Sequence, residues 1–231
     1  RLDQENFRSQ MQSVAHDYER LLQDNPKLAA GWAAYGYMLG KVGMRKESVA
    51  TLLKANQLDT DIPLVKNQLG NYLAEEGKPI EAGQYFLAAI KLVPNEPLYH
   101  YQFGTLLASA RDEFIKSGNW TRDTLDEAMQ REFKQAAELA PDRIEFTYRY
   151  AQSFYDVEKP DWDGALKAWA ALEEKAGTAV ERQTMRLHAA NILIKVAKPD
   201  HARALLETVD EPSLQTQKQK LVAQLAETAK K

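Results

Sequence analysis

Residues 63–96 read PLVKNQLGNYLAEEGKPIEAGQYFLAAIKLVPNE, and the same 34-residue frame continues on both sides of that stretch. Gly36, Gly70 and Gly104 stand 34 residues apart, as do Ala55 and Ala89, Leu52 and Phe86, and Thr60 and Pro94. Four columns in one register mark an internal repeat, whose single unit cannot bury its own apolar face and is completed by its neighbours. Leu69 and Leu73 in the first half, and Ala82, Phe86 and Ala89 in the second, recur at spacings of three and four, so each half predicts an amphipathic helix. Small residues such as Gly36, Gly70 and Ala82 belong where the two helices of a hairpin cross closely. Bulky ones such as Tyr35, Leu39 and Phe86 fill the space between hairpins. Pro94 closes a helix, because proline lacks the N–H and disfavours the helical conformation in Val93 before it.

Column by column, the first complete repeat reads Trp32, Tyr35, Gly36, Leu39, Ser48, Leu52 and Ala55. The second reads Leu69, Gly70, Leu73, Ala82, Phe86, Ala89 and Pro94, with Lys66 in place of the aromatic. The third begins Phe103, Gly104, Leu107 and resumes at Met129, Phe133, Ala136 and Pro141. This pattern resembles the tetratricopeptide repeat family, W-x2-L-G-x2-Y followed by A-x3-F and a closing Pro, over nearly the whole chain. The resemblance implies an all-α fold: a right-handed superhelical solenoid of stacked antiparallel helix pairs.

The expected division is an N-terminal helix or half repeat over 1–28, carried by Val14, Tyr18, Leu21 and Pro26. An array over 29–211 follows, with repeats at about 29–62, 63–96, 97–143, 144–182 and 183–211, and then a capping helix over 212–231. The fourth repeat rests on Tyr150, Ala151, Phe154, Ala165, Trp169 and Leu172, and the weaker fifth on Ala189, Ala190, Leu193, Ala202, Leu206 and Val209. Leu214, Leu221 and Leu225 share one stripe of the last helix, as a helix closing a stack requires.

The third repeat carries an insertion: Gly104 to Pro141 is 37 residues, against 24 from Gly70 to Pro94. Phe103, Leu107, Ala110 and Phe114 predict a first helix that runs unbroken past its usual end, until Ser117, Gly118 and Asn119 stop it. Thr124 with Glu127 has the spacing of a capping box for the second helix. Both helices are expected to exceed their neighbours by about six residues, with Trp120 at the tip. There Trp120 either covers Phe114 or serves as a secondary contact site.

Composition narrows the function. Thirty basic and 33 acidic residues give a net charge of −3 and are interspersed, so there is neither the basic stripe that nucleic acid requires nor a polybasic cluster for anionic membrane. No apolar run approaches the roughly 20 residues of a membrane span. The chain contains no cysteine, which removes disulfides, thiolate zinc sites and cysteine nucleophiles and leaves the compartment open. A soluble chain is expected. It opens on Arg1 rather than Met, so the native N-terminus is expected upstream, where an export signal stays open.

Motifs of catalysis are missing as well. There is no phosphate-binding glycine loop, zinc-protease helix or nucleophile elbow, so no catalytic residue, cofactor or metal ligand is expected. His16, His100, His188 and His201 are scattered without a paired ligand at helical spacing, and His100 reads as a packing or groove residue. Asp161-Trp162-Asp163-Gly164 faintly resembles a calcium loop but lacks its remaining ligands, and helix capping explains it better. Asn119-Trp120-Thr121 fits a glycosylation acceptor.

In the resembling family, the first helices line a concave groove, with ligand-facing residues one and five places after the aromatic column. Carried over, these are Ala33 and Tyr37, Asn67 and Asn71, Tyr101 and Thr105, Tyr148 and Gln152, and Leu187 and Asn191. Members that clamp a peptide carboxylate place Lys, Asn and Arg there. Here Asn71 is present, but Ala33 and Asn67 stand where lysine is needed, which disfavours such a clamp. The polar members of the row, Tyr37, Asn67, Asn71, Tyr101, Thr105, Tyr148, Gln152 and Asn191, imply a groove that reads a peptide through amide hydrogen bonds and aromatic area. The expected function is a non-enzymatic scaffold for a protein or peptide partner. The alternative is a structural or self-assembly module that makes contacts through the ends of the stack. A monomer is favoured.

Overall fold

The computed structural model describes residues 2–228, and residues 1 and 229–231 of the expected terminal segments lie outside it. The described residues contain helices and no strand, in agreement with the all-α expectation. The chain divides into two compact units, residues 1–120 and 121–231, and the boundary falls inside the inserted third repeat.

The first unit holds α1 (Leu2–Asp24), α2 (Ala29–Lys41), α3 (Arg45–Leu58), α4 (Pro63–Glu75), α5 (Pro79–Leu92), α6 (Pro97–Ser109) and α7 (Arg111–Lys116). α1 is a single long helix that docks through the buried Leu22 and through Tyr18, which stacks on Tyr35 at 5.2 Å. α2 pairs with α3 and α4 with α5, around a core that includes Leu52, Val65, Leu69 and Tyr72.

Repeat columns have direct counterparts in the packing. A Cβ placed on Gly36 would lie 2.7 Å from Leu52, and one on Gly70 would lie 3.0 Å from the Phe86 ring. The nearest side chain to Gly70 is thus Phe86, one turn beyond Ala82 on α5, whose ring fills the space that the missing side chain leaves. In the first pair the small-residue crossing is tied directly: Ser48 Oγ donates to the Gly36 carbonyl at 2.6 Å and also meets the Tyr72 hydroxyl at 2.9 Å.

Between the paired helices the chain turns through Gly43 and Gly77, which are 34 residues apart and adopt φ +83 and φ +74. Pro79 then begins α5, where its missing N–H costs no helical bond. The same turn recurs before α12, with Lys198 and Pro199 in place of Lys78 and Pro79. There Ala197 takes the left-handed position at φ 56.

The inserted third repeat differs from its expectation at three points. α6 stops at Ser109, and α7 begins at Arg111 after a break at Ala110, so the first helix does not run on. The break aims Phe114 at α5, where its ring would lie 3.2 Å from a Cβ on Gly83. Burial of Phe114 in that notch replaces the lost helical continuity, and Ser109 Oγ caps the Leu106 carbonyl at the break. Ser117 and Gly118 do end α7, with Gly118 at φ +81.

The second unit opens with α8 (Arg122–Leu139), whose capping box is Thr121 with Thr124, not Thr124 with Glu127. α8 has 18 residues against 14 in α5, while α6 has only 13, so the expected six-residue excess in both helices does not occur. The chain continues through α9 (Ile144–Ser153), α10 (Trp162–Lys175), α11 (Ala179–Lys195), α12 (Pro199–Glu207), a 3-10 turn over Pro212–Leu214, and α13 (Gln215–Thr228).

The long loop between α9 and α10 is held from α8. Asp126 Oδ2 accepts from the Glu158 amide at 2.9 Å and from Arg122 Nε at 2.9 Å, and Arg122 also donates to the Asp156 carbonyl. Asp161 caps α10 by accepting from the Gly164 amide, the capping role expected for it. Leu214 of the 3-10 turn and Leu225 of α13 are buried beside Leu187, Leu206 and Val209, with Leu221 packed against them, so the leucines of the C-terminal segment close the last pair.

Candidate functional site

In the first unit, the residues singled out by the columns sit on α2, α4 and α6. Tyr37 is half-buried, with Lys41 Nζ 5.1 Å from its ring centre. Both line a cavity of about 300 Å³ with Gln68, Arg45 and Tyr72. Arg45 stacks 4.7 Å over the Tyr72 ring, donates to the Tyr72 carbonyl and pairs with Glu75, which fixes the charge of that corner. Asn67 is only 4% exposed, and its Oδ1 is enclosed without a hydrogen-bond donor among the described residues. Asn71 and Tyr101 are half-buried, and Thr105 is exposed, with its hydroxyl donating to the Tyr101 carbonyl. His100 is buried, and its Nε2 meets the Pro94 carbonyl at 2.8 Å, which ties the start of α6 to the turn before it.

Trp120 lies half-buried, edge-on to Phe114, with ring centres 6.0 Å apart. It folds back onto α7 instead of standing clear of it.

In the second unit, the corresponding column positions fall on α9 and α11, around aromatic packing that the columns do not reveal. Trp169 of α10 is fully buried, and the His188 ring of α11 lies flat on it at 3.9 Å, with 4° between the planes. Tyr148 meets Trp169 edge-on at 5.2 Å and places its hydroxyl 3.3 Å from His188 Nε2. Tyr148 is thus engaged inside the unit. Tyr155 donates to the His188 carbonyl at 3.2 Å. Burial lowers the His188 pKa from 6.5 to about 4, so the ring is neutral at physiological pH. Gln152 is half-buried on α9.

Asn191 lines an open cleft of about 730 Å³ between α11 and α13. One wall is the α11 stripe Thr184, Leu187, His188 and Asn191. The other is the α13 stripe Gln217, Lys220, Leu221 and Gln224, with Glu227 further along. Each stripe follows the i, i+3, i+4, i+7 spacing of a single helix face. The columns supply Leu187 and Asn191. His188 was missed, since its place depends on Trp169 from another helix, and the α13 wall lies outside the repeat frame. Among the described residues, no three His, Asp or Glu side chains gather as a metal-ligand set, and no helix is long and apolar enough to cross a membrane.

No protein-family model matches the sequence, and no curated protein matches it as a relative. The fold does match solved structures. YrrB, described as a TPR protein with an unusual peptide-binding site, superposes with a TM-score of 0.69 over 94% of this chain and 100% of its own, at 16% identity. PilF of Pseudomonas aeruginosa matches at 0.60 over 94% of this chain and 90% of its own, with 16% identity. PilW, described as a widely conserved type IV pilus biogenesis factor, matches at 0.57 over 96% and 95%, with 15% identity.

Proposed function

We propose that this chain, which has the tetratricopeptide-repeat fold, is a non-enzymatic scaffold that holds a peptide segment of a partner protein against the faces of its first helices. The similarity to YrrB, whose own description names a peptide-binding site, supports a binding role for the same fold. Asn71 is the residue that carries the reading: it stands half-buried on the α4 face, and its amide can both donate to and accept from a peptide backbone, whereas Asn67, one turn earlier, is enclosed and out of a ligand's reach. Tyr101 and Thr105 hold the equivalent column positions on α6, and Tyr148, Gln152 and Asn191 hold them on α9 and α11 within the second unit. Tyr37 contributes aromatic area beside Lys41. Trp120, packed on Phe114, belongs to the fold more than to the contact surface.

The test is a photocrosslinking amino acid placed at Asn71, and separately at the exposed Leu87 of α5, with the chain then exposed to its native extract. Adducts from position 71 and none from position 87 are expected. The reverse pattern rejects the first-helix faces. Light scattering over a concentration series separates this from self-assembly through the ends of the stack, since mass that grows with concentration would favour the latter.

A further inference from the structure

We propose that the cleft between α11 and α13 takes an extended, apolar segment of a partner protein that carries one acidic and one basic side chain about three residues apart. This inference rests on the scaffold reading and adds the chemistry of the occupant.

Leu187, Leu214, Leu221 and Ala223 make the cleft mainly apolar, and its volume of about 730 Å³ lies in the ~300–1,000 Å³ range of sites that bury most of a ligand. Apolar side chains of the occupant supply the driving force. The polar lining includes three amides, Asn191, Gln217 and Gln224, whose side chains carry both donors and acceptors, with Asn191 also bonded to Tyr155. Such groups pair with backbone N–H and C=O. A helical occupant already satisfies those groups internally, whereas an extended one presents them. An extended segment is the better match.

Lys220 and Glu227 are the two formally charged side chains of the lining, and neither makes an ion pair among the described residues. Seven residues apart on one helix, they are separated by about 10 Å along its axis. An extended chain covers that distance in about three residues at ~3.3 Å each. An acid opposite Lys220 and a base opposite Glu227 therefore fix the direction in which the segment lies. A uniformly acidic or basic ligand meets one attraction and one repulsion.

The probe is a phage library of random 12-residue peptides, panned on the full chain and on the variants Ala223→Arg, Lys220→Glu and Asn71→Ala. Ala223 and Lys220 are exposed and Asn71 is half-buried, so these changes leave the core intact. Enriched peptides are expected to share apolar residues bracketed by an acid and a base, and to bind Ala223→Arg at least about tenfold more weakly by fluorescence anisotropy. Lys220→Glu is expected to replace the selected acid with a base. Peptides that bind Ala223→Arg as well as the parent, a consensus with helical spacing, or no enrichment at all would overturn the cleft. Peptides lost on Asn71→Ala but kept on Ala223→Arg would sink this inference while leaving the scaffold reading standing.

Discussion

Ala197 occupies the left-handed backbone position that Gly43 and Gly77 fill in the equivalent turns. A Cβ there costs about 1–2 kcal/mol, against which glycine's extra freedom in the unfolded chain must be set. Ala197→Gly is expected to stabilise the chain by about 0.5–1 kcal/mol in urea unfolding, while Gly77→Ala destabilises it by a similar amount. His188 supplies a second test. Its folded pKa is about 4, against 6.5 for the free side chain, so between those values the unfolded chain takes up a proton that the folded chain refuses. Stability contributed by the neutral ring is complete above pH 6.5 and is lost as pH falls towards 4. Linkage gives a loss of about 2–3 kcal/mol between pH 7 and pH 4.5. His188→Gln is expected to remove that part of the pH dependence, and an unchanged slope would mean that the ring is not held neutral on Trp169.

At the scale of the element, the inserted hairpin shows where pattern reading reaches and where it stops. Phe114 was legible as an apolar position in step with Phe103 and Leu107, but the break at Ala110 was not, because neither glycine nor proline marks it. It is set by the notch at Gly83, a contact remote in sequence. α8 begins on Thr121 rather than Thr124 for a related reason: the box closes with a second threonine, whose hydroxyl does the work of a glutamate carboxylate. Phe114→Ala is expected to cost about 3–5 kcal/mol, since it empties that notch. Trp120→Ala, which removes only the half-buried edge contact, should cost about 1–2 kcal/mol in chemical denaturation and leave crosslinking at Asn71 intact. A folded Trp120→Ala chain with normal stability and no crosslinking would restore the tryptophan as a contact site.

Across the whole molecule, the 34-residue register made the paired helices legible from Trp32 to Pro94, because Gly36 against Leu52 and Gly70 against Phe86 are local to each pair. The candidate binding residues were less legible. Asn67, Asn71 and Asn191 follow from the columns, but the enclosure of Asn67, the ring stack under His188 and the α13 wall all arise from contacts between helices. In the proposed scaffold, first helices bind and second helices support. Deuterium exchange of the full chain, alone and saturated with its crosslinked partner, tests it most directly. Slowed exchange is expected over 63–75, 97–109, 144–153 and 179–195, with 45–58, 79–92 and 162–175 unchanged. Protection concentrated on 45–58, 79–92 and 162–175 would contradict it.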